Sequence, residues 1–116
     1  MEFAFTLECL MASNKVRSNF ASFREFYPFY LGEHRDRRCR RLHFAGSLLV
    51  IASPIVAIAT RNAWWLIGAP LCGYGCAWIG HYIFEKNRPA TFTHPLYSLA
   101  GDWVMFADIL RGKIRI

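Results

Sequence analysis

The amino-acid sequence predicts an all-α integral membrane protein, built as a two-span transmembrane helical hairpin with flanking amphipathic or interfacial helices. Two observations carry this prediction. From Leu42 to Thr60 there are 19 residues, and from Asn62 to Phe84 another 23, with no Asp, Glu, Lys or Arg. As helices they reach about 28 and 34 Å, against a bilayer hydrocarbon core of about 30 Å. Neither alternates polar and apolar with period two, so half-buried strands do not fit. The second observation is composition: 54% of the 116 residues are hydrophobic and 19% charged, with a mean hydropathy of +0.18. Such a chain is too apolar for disorder and too short for more than one domain.

Residues 1–22 read as a leader. Glu2 and Glu8 fall where a signal peptide would carry basic residues and then an apolar run, so a signal peptide is not expected, and Met11 offers a second possible start. Residues 23–110 form a single membrane domain. Within it Phe23, Phe26, Tyr27 and Tyr30 recur at helical spacing, the mark of an interfacial amphipathic helix that Pro28 is expected to kink or end. The spans follow at about 42–60 and 62–84, joined by Arg61-Asn62. Pro54 and Pro70 lie inside them, as membrane helices allow. Ser53 and Ala57 on the first span, and Cys72, Cys76 and Gly80 on the second, form small-residue stripes suited to close helix packing. With no CxxC among Cys9, Cys39, Cys72 and Cys76, packing is the expected role of Cys72 and Cys76.

Lys86 to Ala90 is a break. An interfacial or re-entrant helix is then expected over about 95–110, with Pro95 at its first position and Thr93 or His94 as cap. Its apolar stripe is Leu96, Leu99, Trp103, Phe106 and Leu110. Residues 111–116 are a basic C-terminal tail.

Of the fourteen Lys and Arg, eight precede the first span, one lies in the turn and five follow the second span. This split places both termini in the cytoplasm. The run Arg35, Arg37, Arg38, Arg40 and Arg41 abuts a span, so its expected partners are anionic membrane lipids and no nucleic acid. A bacterial inner membrane is the expected location, rather than the endoplasmic reticulum.

The histidines carry the chemistry. His43 lies 18 residues before the turn and His81 lies 19 after it, so an antiparallel hairpin brings both to one depth. His34 and His94 flank the spans on that same side. Imidazole is a common ligand for iron and zinc. Glu85, four residues after His81, would face with it as a further ligand or as a group orienting the ring, and Asp102 is another candidate carboxylate. His34 and His43, nine residues apart, fall on opposite faces of a continuous helix. They share a site only if the chain bends between them.

The stretches Tyr30-Leu31-Gly32-Glu33-His34 and Arg40-Arg41-Leu42-His43-Phe44-Ala45-Gly46 form one motif. Gly80 to Ala90 (GHYIFEKNRPA) and His94 to Asp102 (HPLYSLAGD) form two more. Over about residues 23–110 these motifs resemble the small membrane proteins that include the fungal 2-hydroxy fatty acid dioxygenase. That resemblance implies an enzyme using iron, Fe(2+), for α-oxidation: a 2-hydroxy fatty acid reacts with O2 and leaves a fatty acid one carbon shorter. It implies His34, His43, His81 and His94 as the catalytic and metal-binding residues. Asp36 and Cys39 stand where relatives often have asparagines. Arg88, or one of Arg37, Arg40 and Arg41, could pair with the substrate carboxylate. Two other readings fit the same residues: a membrane scaffold with structural histidines, and a metalloenzyme using zinc or two irons on another lipid.

Overall fold

A computed structural model describes residues 20–116. Among the described residues every regular element is helical: α1 (Phe23–Gly32), α2 (Arg37–Thr60), α3 (Trp65–Ile79), a π-helical turn (Gly80–Glu85), a short 3-10 turn (Ala90–Phe92) and α4 (Pro95–Leu110). Most of the expected leader, with Met11 and Cys9, lies outside the described residues.

Ser22 and Glu25 start α1. The Ser22 hydroxyl accepts from the Glu25 N–H at 3.3 Å, and the Glu25 carboxylate accepts from the Ala21 N–H at 3.2 Å, a variant of the capping box. Pro28 lies inside the helix and does not end it. It removes one bond, to the carbonyl of Arg24, and Arg24 is exposed, so that carbonyl is open to solvent. The helix stops instead at Gly32. Asp36 then starts α2, its carboxylate accepting from the Arg38 N–H at 2.8 Å. The bend between His34 and His43 therefore lies at residues 33–36.

Left-handed Arg61 (φ 52°) closes α2, and the chain returns antiparallel as α3. The two helices meet at Gly46 and Gly73, where a Cβ added to Gly46 would stand 2.8 Å from the Gly73 carbonyl oxygen. The small-residue stripe on α2 is buried at Ser53 and Ala57, and the Ser53 hydroxyl donates to the Trp65 carbonyl at 2.6 Å. On the returning strand of the hairpin the contact residues are Ala69, Gly73 and Gly80. Cys72 is exposed and Cys76 only half-buried, so the packing role expected of Cys72 is corrected: the rotation of α3 turns its neighbour Gly73 inward instead. Among the described residues one helix, α2, is long and apolar enough to cross a membrane, and only 17% of its most apolar window is buried within the protein. The regular α-helix of the second apolar segment has 15 residues before the π turn begins.

Pro95 occupies the first turn of α4, and His94 caps it without a side-chain bond. The apolar stripe of α4 faces outward. Leu96, Leu99, Trp103 and Leu110 are 80, 46, 38 and 65% exposed, whereas Ser98, Gly101 and Met105 are buried. Gly101 is required there by the Tyr30 ring, which a Cβ would approach to 2.9 Å. Phe26 and Tyr30 are fully buried, so the aromatic face of α1 is covered by α4 and by Phe20 and Ala90. Burial of each such ring contributes on the order of 1.5–3 kcal/mol. Tyr27 adds a hydrogen bond from its hydroxyl to Asp108 at 2.7 Å. The C-terminal tail docks back, with Ile114 against the aromatic cluster and the Arg115 carbonyl accepting from Arg40 Nε at 2.8 Å.

Gly46→Ala forces backbone apart at the helix crossing and is expected to lower stability by about 1–3 kcal/mol. Gly75→Ala, with nothing within 4 Å of the added carbon, is expected to be neutral or slightly stabilising. Thermal unfolding of the two variants in detergent checks the contrast.

Candidate metal centre

Three histidines from three different elements meet at the end of the hairpin opposite Arg61. His34 comes from the bend after α1, His43 from the second turn of α2, and His81 from the π turn. All three are buried, at 1, 7 and 2% exposure. Nε2 of His43 lies 3.1 Å from Nε2 of His34 and 3.1 Å from Nε2 of His81. The three rings stand nearly edge to face, at 76–89° to one another.

Their outer nitrogens fix the tautomers. His34 Nδ1 lies 2.6 Å from the Tyr30 carbonyl, which can only accept. His81 Nδ1 lies 2.7 Å from Asn87 Oδ1. The orientation of that amide is set in turn, because Asn87 Nδ2 donates to the Glu33 carbonyl at 3.0 Å and to the Glu33 carboxylate at 2.8 Å. His43 Nδ1 lies 3.5 Å from Asp102 Oδ1, and the same carboxylate oxygen accepts a short hydrogen bond from the Tyr30 hydroxyl. His34 and His81 thus carry their protons on Nδ1 and turn bare Nε2 lone pairs towards His43 Nε2, while the Asp102 carboxylate stands on the Nδ1 side of His43.

With His43 protonated on Nε2 that one proton bridges to its neighbours; with His43 protonated on Nδ1, beside Asp102, three lone pairs face one another and a cation between them satisfies all three. Nitrogens bound to one ion at about 2.1 Å stand about 3.0 Å apart at right angles and about 3.4 Å apart in a tetrahedron. The observed 3.1 Å fits that range. A carbonyl, an amide and a carboxylate behind the three rings are the outer partners that orient histidine ligands. The donor set fits a metal ion. Cys39, fully buried, belongs to the same group: its Sγ and the three histidine ligand atoms lie within 4.8 Å of one another.

The other candidate residues are placed as follows. His94 lies outside this group, with its ring against Phe20 and Phe26 and its Nδ1 3.0 Å from the Thr93 hydroxyl. Glu85 accepts a short hydrogen bond from the Asp36 N–H, tying the end of the π turn to the start of α2. The wider π turn carries it out of register with His81, and Asn87 takes the orienting position. Asp102 orients His43. Asp36 caps α2, a task that asparagine performs equally well. Arg40 donates to the carbonyls of His34 and Arg35 at 2.9 and 2.7 Å and so braces the bend. Arg88 is exposed and stacks over Phe92, while Arg37 and Arg41 are exposed. Asn87 and Tyr30 are the residues that sequence reasoning missed as partners of the site. Only the fold reveals them, although Asn87 lies inside the long second motif.

Residues 20–114 match the family described as 2-hydroxy-palmitic acid dioxygenase Mpo1-like. The chain belongs to the Mpo1-like family. Comparison with curated proteins and with solved structures yields no match. The Mpo1-like match covers all three histidine-bearing elements and α4.

Burial, with His43 and His81 close by, holds the His34 pKa well below its ordinary 6.5. Burial and the Asp102 carboxylate hold the Tyr30 phenol well above its ordinary value, and burial pushes the Cys39 thiol up to about 12. The unfolded chain therefore takes up a proton at His34 that the folded chain resists. Its contribution to stability is full above about pH 6.5 and is lost as pH falls towards the depressed folded value. Metal-free protein is expected to lose unfolding temperature below that pH, with a flatter profile in His34→Gln. Asn87→Ala is expected to weaken metal binding about 10–100-fold, whereas His94→Ala leaves it unchanged. Calorimetric titration with a divalent metal checks both.

Proposed function

We propose that this chain is an Fe(2+)-dependent dioxygenase that converts 2-hydroxy fatty acids and O2 to fatty acids one carbon shorter. The observation that carries the reading is the set of three Nε2 lone pairs facing one point, in a chain matched to this family over residues 20–114. Iron(II), when bound, supplies open positions for dioxygen and for the hydroxyl and carboxylate of the substrate.

The work of the chain is to build that place. His34, His43 and His81 hold the ion, and the Tyr30 carbonyl, Asp102 and Asn87 keep each ring in its Nδ1–H form. Asp102 keeps a carboxylate beside the site, with the Tyr30 hydroxyl on one of its oxygens. The buried rings of Phe26 and Tyr30, the latter against the His34 ring, close the site against water. Having no place in the triad, His94 acts as a packing residue beside Phe20 and Phe26.

Support for a membrane setting comes from the outside of the molecule. Leu48, Ile51, Ile55 and Ile58 on α2, and Leu66 and Leu71 on α3, are all exposed. Such a surface suits lipid, and the proposed arrangement is a two-span hairpin with both termini in the cytoplasm of a bacterial inner membrane. The site then lies at headgroup depth, where an acid can meet the metal while its tail stays in lipid.

A zinc enzyme is the second reading. Cys39 favours it, since three imidazoles and a thiolate suit tetrahedral zinc.

Anaerobic iron loading of detergent-purified protein, followed by oxygen uptake with 2-hydroxypalmitic acid, tests the reaction. Uptake with release of the shortened acid is expected, with loss of both metal and turnover in His43→Ala and His81→Ala. Activity with zinc and none with iron would favour the second reading. A reporter fused after Ile116 is expected to be active only as a cytoplasmic fusion; activity as an external fusion contradicts the orientation.

A further inference from the structure

A groove of about 230 Å³ leads away from the histidines between α2, α3 and α4. Its polar end is formed by His43 and Asp102. Beyond them the walls are mainly carbon: Gly46, Val50, Gly73, Ala77, Leu99 and Trp103. The groove follows α2 from His43 to Val50, seven residues or about 10 Å along the axis. Its depth comes from the glycine crossing, because neither Gly46 nor Gly73 puts a side chain into the floor. Leu99 and Trp103 on its outer wall are partly exposed, so it opens sideways onto the apolar outside of the hairpin.

The shape selects one kind of occupant. A molecule lying here has a small polar end at His43 and Asp102 and an unbranched apolar remainder. His34 and His81 behind that end are almost wholly buried, so a bulky glycerophosphate headgroup has no room there. A hydroxy-carboxylate at the tip of an alkyl chain has.

We propose that this groove binds the alkyl tail of the 2-hydroxy acid, and that Val50, with Pro70 across the hairpin from it, determines how much of the chain is held. The proposal rests on the reaction assigned above to the His34, His43 and His81 site. Gly46 meets Gly73 and Cys39 meets Gly80, so Ala77 stands level with His43 and Val50 lies at the far end of the groove. A larger side chain at Val50 shortens the groove about 10 Å from its histidine end.

The test has two arms. In the first, Val50→Phe is expected to lower kcat/KM for 2-hydroxypalmitic acid relative to 2-hydroxyoctanoic acid by about tenfold or more, the scale on which apolar pockets discriminate. Equal loss for both acids, or no change in the ratio, overturns the assignment. In the second, the unmutated protein is photolabelled with a 2-hydroxy fatty acid bearing a mid-chain diazirine. Labels are expected on Val50, Ala77, Leu99 or Trp103, suppressed by excess 2-hydroxypalmitic acid but not by excess phospholipid. Labels confined to outward residues such as Ile55 and Ile58, or suppressed equally by phospholipid, overturn it. If the groove is labelled while the iron-loaded protein oxidises neither acid, the reaction reading fails and the tail site stands.

Discussion

Three imidazoles from three elements meet at one point, and the rest of the fold holds them there. With every ring protonated on Nδ1 the three Nε2 atoms are acceptors removed from water, an arrangement that is costly without a cation between them. The chain holds this arrangement by fixing the far side of every ring, through the Tyr30 carbonyl, Asp102 and Asn87. Those fixtures depend in turn on larger features. The bend at residues 33–36 lets His34 face His43, the π turn delivers His81 and Asn87 together, and α4 brings Asp102 from the far end of the sequence. If any of the three shifts by a turn of helix, the lone pairs no longer meet. A bound cation turns the same geometry from a cost into a stabilisation, which couples metal binding to the packing of the whole histidine end of the molecule.

The hairpin serves this end of the molecule from a distance. Backbone contact at Gly46 and Gly73 fixes the separation of α2 and α3 one turn from His43. It also leaves the groove that starts at His43 and Asp102 free of side chains. Gly101 plays the matching part on α4, letting the Tyr30 ring lie flat enough for its hydroxyl to reach Asp102. Small residues thus position large ones, and the aromatic cluster around Phe26 and Tyr30 holds α1 against α4 where no polar contact would exclude water so well.

Much of this was legible in the sequence because periodicity and spacing are local. Uncharged runs gave helices, and counting from Arg61 put His43 and His81 at one depth. The need for a bend between His34 and His43 followed from helical rotation alone. What stayed hidden depends on neighbours. The stripe Leu96, Leu99, Trp103 and Leu110 is a true helical face, but periodicity does not say whether water or lipid lies outside. In this fold the face turns outward and Ser98, Gly101 and Met105 turn in. Glu85 has the right spacing for His81 in an α-helix, and the π turn changes that spacing. His94 flanks the apolar segments in the sequence as His34 does, yet the 3-10 turn before it directs its ring into the aromatic cluster. Asn87 looks like a loop residue until its amide is seen held between Glu33 and His81.

X-ray absorption at the iron edge of anaerobically loaded protein tests the central claim most directly, because it reports the donor atoms themselves. The account predicts one iron per chain, with nitrogen donors at about 2.1 Å and the multiple-scattering pattern of three imidazoles. A spectrum with oxygen donors alone, or with imidazole scattering that survives replacement of His34, His43 and His81 together, would contradict it.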